Sequence, residues 1–278
     1  MPEGHGRAHS FFPFPGNRLA LQSAVLGDWL LFLLLVAGLV WLVLRGAEGL
    51  GYNWQWYQVQ RALVSSHDGS YSFGPLLEGL SVTLKLTALS FAGAFAVGLA
   101  AALLRLSGSW SGRLLARSYV ELVRNTPLLI QLFFLYFVLS PVLDMDAFAT
   151  AVLGLSLFEG AYVSEILRAG VRSVDHGQWD AARSLGMGRT TAYISVILPQ
   201  AVRRVLPPLT GQGVSLIKDS SLASVIAINE LTLRGQNLVS ETFLSFEIWF
   251  TVAVIYWMVT TALSGASGAL ERRLAYPS

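Results

Sequence analysis

Gly177-Gln178-Trp179-Asp180-Ala181-Ala182-Arg183-Ser184-Leu185-Gly186, followed by Val196-Ile197-Leu198-Pro199, is a polar, charge-bearing interruption between apolar segments long enough to cross a membrane. Hydropathy alone yields only a membrane protein. This stretch adds a surface suited to receiving a force-generating partner. Asp180-Ala181-Ala182-Arg183 reads as a short helix with a small, flat alanine face, its aspartate near the positive N-terminal end. Gly186 and Gly188 stop that helix and allow a sharp reversal. A short helix bounded by glycines suits insertion into a groove on another protein. The next helix, from about Arg189, meets Pro199, where a missing amide and a ring clash predict a bend that holds the short helix against the membrane bundle. From these residues alone two readings stand: an ordinary capped loop, or a helix that docks a partner.

Composition supports the membrane setting. Charged residues make up 13% of the 278 residues, where a soluble domain carries about 25%, and mean hydropathy is +0.56. The absence of cysteine removes disulfides, thiolate chemistry and most structural zinc sites. His5, His9, His67 and His176 share no ligand spacing, so no metal or resident cofactor is expected, and no catalytic set is present. A net charge of +2 is too small to imply nucleic-acid binding.

Six apolar segments are expected to span the bilayer, at 29–44, 76–104, 128–143, 148–167, 192–227 and 246–270. The fifth contains Arg203, Arg204, Pro207, Pro208, Lys218 and Asp219, so part of it reads as interfacial or broken. The first begins too late and lacks a following small-residue cleavage site, which favours a retained helix over a signal peptide. Gly93 to Ala102, rich in Gly and Ala, should let neighbouring helices approach closely.

Basic residues in the short connections give the orientation. Arg105, Arg113, Arg117 and Arg124 follow the second segment and mark the cytoplasm, whereas Asp144 and Asp146 follow the third and mark the outside. Both termini are then cytoplasmic, with Arg45 the one dissent. The organisation expected is a cytoplasmic tail at 1–27, an additional transmembrane helix at 28–45, an external loop at 46–72, a transmembrane domain at 73–273 containing a cytoplasmic loop at 168–191, and a cytoplasmic tail at 274–278. Tyr52 to Tyr57, dense in amphipathic aromatics, suits a headgroup boundary on the outer face.

Several charged residues carry competing readings. Arg124-Asn125-Thr126-Pro127 stands at a helix entrance, with Pro127 suited to a first turn; Arg124 anchors at headgroups or pairs with Glu121 at i, i+3. Carboxylates in lipid are costly and face a cavity or a partner, which makes Glu159 and Glu165 pathway or gate candidates. Glu165 alternatively pairs with Arg168 at the cytoplasmic boundary. Lys218 and Asp219 complement the two charges of an alpha-amino acid, or stabilise a helix break.

The polar interruption resembles the EAA loop of permease subunits of ATP-binding-cassette importers. That pattern is Glu-Ala-Ala, three residues, Gly, nine residues, Ile, any residue, Leu-Pro; here it runs Asp180-Ala181-Ala182, Gly186, Val196-Ile197-Leu198-Pro199, with Asp for Glu and Val for Ile. Further matches narrow the resemblance to the polar amino-acid uptake permeases: Gly79-Leu80-Ser81-Val82-Thr83-Leu84, Tyr119 through Gln131, Gly160 through Gly170, Ser215 through Leu222, and Ala227 through Thr232. The resemblance covers about residues 70–273 and implies an all-α integral membrane protein of the type I importer class, a five-span core plus one additional N-terminal helix. It assigns coupling to an ATPase to Asp180, Ala181, Ala182, Gly186, Leu198 and Pro199.

It implies two cytoplasmic ATPase subunits, a second permease subunit, identical or homologous, and an external amino-acid-binding protein, with this chain in a bacterial inner membrane. No Gly-rich loop ending Gly-Lys-Ser/Thr occurs, so ATP and Mg belong to the partner ATPase and this chain is no enzyme. Two other readings remain at this stage. One is a membrane scaffold or assembly subunit with no continuous path, and the other is a secondary transporter with a broken fifth segment.

Overall fold

The computed structural model describes residues 18–49, 51–67 and 70–274. His5, His9, the tail up to residue 17 and residues 275–278 lie outside the described residues. The chain divides into two units, Met1–Trp54 and Gln55–Ser278.

In the first unit α1 runs from Arg18 to Gly49, so helix begins well before the expected residue 28. Its apolar stretch, Gly27–Leu42, carries exposed Trp29, Leu33, Leu35, Leu39 and Trp41. A helix that is apolar on every side has no preferred buried stripe and suits a lipid surround. Arg45 stacks over the Trp41 ring at 5.0 Å.

The second unit opens with structure where a loop was expected. A 3₁₀ turn at Trp56–Gln58 leads into α2 (Val59–Leu63), and β1 (Val64–His67) pairs antiparallel with β2 (Ser70–Phe73), Val64 opposite Phe73. This hairpin is the departure from an otherwise all-helical chain among the described residues. It is tied down because the Gly74 amide donates to Leu63 O at 2.8 Å and the Gln55 amide to Glu247 Oε1 at 2.7 Å. Ala62 enters a core with Leu76, Leu231, Ile248 and Val252.

Two long helices form the centre: α3 (Pro75–Leu106) and, later in the chain, α7 (Ala147–Arg172). Small residues let them touch, as their composition predicts. A Cβ on Gly98 would fall 2.8 Å from Gly160 O and 2.6 Å from Val163 Cγ1. Between them in sequence stand α4 (Trp110–Arg124), α5 (Leu128–Phe134), a π turn at Leu135–Leu139 and α6 (Ser140–Leu143). After α7 come α8 (His176–Ser184), α9 (Arg189–Ala192), a second π turn at Tyr193–Ile197, α10 (Leu198–Asp219), a 3₁₀ stretch at Ser220–Ile226, α11 (Leu231–Thr242) and α12 (Ser245–Leu274). Leu86, Leu132, Leu155, Leu216 and Ile226 join α3, α5, α7, α10 and the 3₁₀ stretch in one core.

Among the described residues three helices are long and apolar enough to cross a membrane: Pro75–Leu106, Ala147–Arg172 and Ser245–Ala269. A fourth counts if α4 and Leu128–Leu143 are one span bent by 107°. The fold is thus a multi-span helical membrane fold with three to four clear spans where six were expected. Charge explains part of the shortfall, since α10 carries Arg203 and Arg204. That helix nevertheless runs unbroken through Pro207-Pro208. Irregularity falls earlier, and each π turn ends two residues before a proline, Pro141 or Pro199. A wider turn there relieves the ring's clash with the preceding carbonyls.

Candidate functional site

The polar interruption folds as α8, and its capping differs from the local reading. Asp175, not Asp180, starts the helix: its Oδ1 accepts the Gly177 amide at 2.6 Å. Asp180 sits mid-helix and exposed, 3.7 Å from Arg183, and such an exposed pair is worth about 0–1 kcal/mol. Its carboxylate therefore remains available to a partner. The alanine pair also splits, Ala182 being buried and Ala181 exposed.

The far end closes as a Schellman motif. Met187 donates its amide to Ala182 O at 3.1 Å and Gly186 donates to Arg183 O at 2.9 Å. Gly186 takes φ +72°, a left-handed conformation that a side chain disfavours, and nothing lies within 4 Å of a Cβ placed on it. Gly188 plays a different part from the one expected. It precedes α9 with an ordinary φ of −63°. Leu185, between the cap and the turn, is 76% exposed, a large apolar side chain at the tip of a polar loop.

Two attachments moor α8 to the membrane bundle, and a third fixes the end of α7 that leads into it. The Trp179 ring lies 6.2 Å from that of Tyr193 in the second π turn, beside a core of Val174, Ile197 and Ala201. Gln200 Nε2 donates to Gln178 Oε1 at 3.1 Å. Arg204 Nη1 donates to both the carbonyl and the hydroxyl oxygen of Ser173. Ile197 is fully buried and Pro199 follows it at the start of α10, so packed side chains connect α8 to that helix. Trp179 and Tyr193 make this contact, which spacing alone missed; the signal was an aromatic in an otherwise polar helix.

A second cluster lies within the bundle. Glu159 on α7 is fully buried, and Gln212 Nε2 on α10 donates to its Oε2. No donor among the described residues reaches Glu159 Oε1, while the Asp219 carboxyl lies against the same group. Lys218 is exposed and its charge acts on Asp219. Gln212 was not singled out, although Gln212 and Asp219 stand seven residues apart on one helix face. Two carboxyl groups and an amide converging from two helices form a surface rich in acceptors.

Glu165 belongs elsewhere, at the end of α7 that meets α4. Arg105 and Arg168 bind it, the latter at 2.6 Å, and Arg124 Nη1 stands 3.8 Å away while stacking over Tyr162 at 5.2 Å. The pairing with Arg168 is as read from sequence. The expected Glu121 to Arg124 pair is absent: Glu121 accepts from Arg117 Nε at 2.7 Å instead. Pro127 precedes the first turn of α5 instead of lying in it, and Gln131 Nε2 closes the bend by donating to Val123 O at 2.8 Å and to Thr126 Oγ1 at 2.6 Å. Among the described residues no group of three or more acidic or histidine side chains can hold a metal ion.

Residues 94–276 match the family of binding-protein-dependent transport system inner membrane components. The glutamine transport system permease protein GlnP of Escherichia coli strain K12 is 40% identical over 202 residues, 72% of this chain and 92% of that protein. The L-cystine transport system permease protein TcyB of Bacillus subtilis strain 168 is 41% identical over 207 residues, 73% of this chain and 88% of its own length. Among solved structures, an amino acid ABC transporter crystallised with histidines is similar at 39% identity with a TM-score of 0.68, covering 72% of this chain and 94% of that one.

Proposed function

The chain belongs to the family of binding-protein-dependent transport system inner membrane components, and on that premise we propose the following assignment for its parts. It is the permease subunit of an ATP-driven importer and forms the membrane path for a polar amino acid delivered by an external binding protein. The relatives named for glutamine and cystine support the substrate class. It is a transport subunit, not an enzyme. Its partners are two cytoplasmic ATPase subunits, which bind ATP and Mg, a second permease subunit and the solute-binding protein. Its place is the bacterial inner membrane.

Within this reading α8 is the coupling helix. The observation that carries it is the mooring of an exposed helix, tipped by Leu185, to the start of α10 through Trp179 and Gln200. Asp180, Ala181, Ala182 and Gly186 form or shape the docked surface, and Leu198 and Pro199 pass its movement into α10. ATP-driven closure of the ATPase pair shifts α8 and opens the path toward the loaded binding protein; hydrolysis restores the inward-facing state. Glu159, Gln212 and Asp219 line the path and offer acceptors to the substrate's ammonium group, with Lys218 beside them, while Glu165 acts as a gate residue through its arginines.

The domain at 73–273 forms a five-span core, built from α3, the bent α4 to α6 segment, α7, α10 and α12, with α1 as a sixth span. The loop at 168–191 faces the cytoplasm, as do the tails at 1–27 and 274–278. Arginines around α4 and α8 support that orientation. Vesicles reconstituted with all subunits test the assignment. ATP-dependent uptake of a polar amino acid is expected, and its absence with an active ATPase would overturn it.

A further inference from the structure

Where α3, α4 and α7 meet, a pocket of about 450 Å³ is lined by Arg105, Arg113, Arg117, Arg168, Arg172 and Glu121. Glu165, which Arg105 and Arg168 share, is the second carboxylate there, so five arginines face two acids. Arg117 is satisfied by Glu121 and Arg113 gives one N–H to Ser107 O at 3.2 Å. Arg172, exposed at the last turn of α7, has no ion pair among the described residues. This excess of positive charge calls for an anion, and arginine forks match phosphate oxygens with paired N–H donors.

The walls decide which anion. Trp110 and Leu114 also line the pocket, and they continue into Leu115 and Leu122 on the exposed side of α4, where Trp110 is 72% and Leu115 68% exposed. At about 100° per residue, these apolar side chains form one arc of α4. Arg113, Arg117 and Arg124 form the adjacent arc, and buried Ala116, Val120 and Val123 form the third, against the bundle. The 107° bend between α4 and the apolar stretch after it sets α4 across the direction of that stretch. An amphipathic helix so placed lies in a membrane interface, acyl chains on one arc and headgroups against the arginines.

We propose that this pocket binds the phosphate of an acidic phospholipid headgroup in the cytoplasmic leaflet. A soluble phosphate would satisfy the arginines and leave the adjoining apolar wall unused; a lipid satisfies both. Acidic lipids of that leaflet are the abundant phosphate-bearing ligands within reach. Binding here fixes α4, whose Tyr119 Oη donates to Leu157 O of α7 at 2.6 Å, and so the entrance of the bent segment.

The test is native mass spectrometry of the full chain in detergent, titrated separately with dioleoylphosphatidylglycerol, dioleoylphosphatidylcholine and inorganic phosphate. This readout does not depend on transport. One phosphatidylglycerol per chain should be retained in preference to phosphatidylcholine. Affinity should fall about fivefold for Arg172→Gln and about twentyfold for Arg113→Gln with Arg172→Gln. Arg61→Gln, on α2 before the opposite end of α3, should bind as the unchanged chain does. Equal retention of the two lipids, unchanged binding in the arginine variants, or displacement of the lipid by equimolar inorganic phosphate would each overturn the proposal.

Discussion

Replacing Gly186 by valine isolates the role of the helix cap. A Cβ at this position meets nothing within 4 Å, so the substitution creates no clash, and its effect comes from φ +72° alone. A non-glycine residue in that conformation costs about 1–2 kcal/mol, with β-branched residues at the upper end. About 2 kcal/mol shifts the equilibrium between capped and frayed α8 about thirtyfold. The bonds at stake are Met187 N–H to Ala182 O and Gly186 N–H to Arg183 O, which set where Leu185 points. The rest of the bundle should be untouched, because Gly186 packs against none of it. In reconstituted vesicles amino-acid uptake per ATP hydrolysed should fall about tenfold, the ATPase partner drawing back part of the frayed population by binding. Gly186→Ala should be intermediate and Gly186→Asn nearly normal, since asparagine tolerates the left-handed region. Equal coupling in all four proteins would refute the cap argument. An equal loss in the asparagine and valine variants would move the cause from backbone conformation to contact at the docking surface.

Gly98→Val should lower the thermal stability of the purified chain by about 2 kcal/mol, because its Cβ meets Gly160 O at 2.8 Å; a melting transition unchanged from the parent would contradict the close α3–α7 approach. Glu165→Gln takes the charged acceptor from Arg105 and Arg168 and should destabilise by about 2 kcal/mol. Adding Arg105→Gln should then cost less than it does in the parent, and additive losses in a double-mutant cycle would exclude the coupling. Glu159→Ala should reduce uptake about tenfold or more while ATPase activity persists, with a smaller loss for Gln212→Ala; normal uptake in both would remove the buried cluster from the path.

Much of the α8 segment was legible because its determinants are local. The spacing from Asp180 through Gly186 to Pro199 marked a short polar helix closed by a glycine and followed by a proline-disturbed one. A glycine ending a short helix is a signal carried within one turn. Yet the same stretch misled at finer scale: Asp175 is the capping acid, and Gly188 needs no special conformation. Two aspartates, Asp175 and Asp180, compete for one cap within a few residues, and composition does not rank them. The hairpin at 64–73 fell in the expected loop because its strands are only four residues long, and the alternation in Ser70-Tyr71-Ser72-Phe73 has no counterpart in Val64-Ser65-Ser66-His67.

By itself the sequence determined that this chain lives in a membrane, that small residues along Gly93 to Ala102 permit close helix packing, and that a short polar helix stands between apolar segments. These follow from hydropathy, residue size and turn chemistry, which act over a few neighbouring positions. Tertiary structure alone decided which charges meet. Gln212 reaches Glu159 across 53 residues and Arg105 reaches Glu165 across 60, because α3, α7 and α10 pack at particular rotations. Rotation about a helix axis is set by the fit of whole faces, and a partner on another helix leaves no periodic trace in the chain.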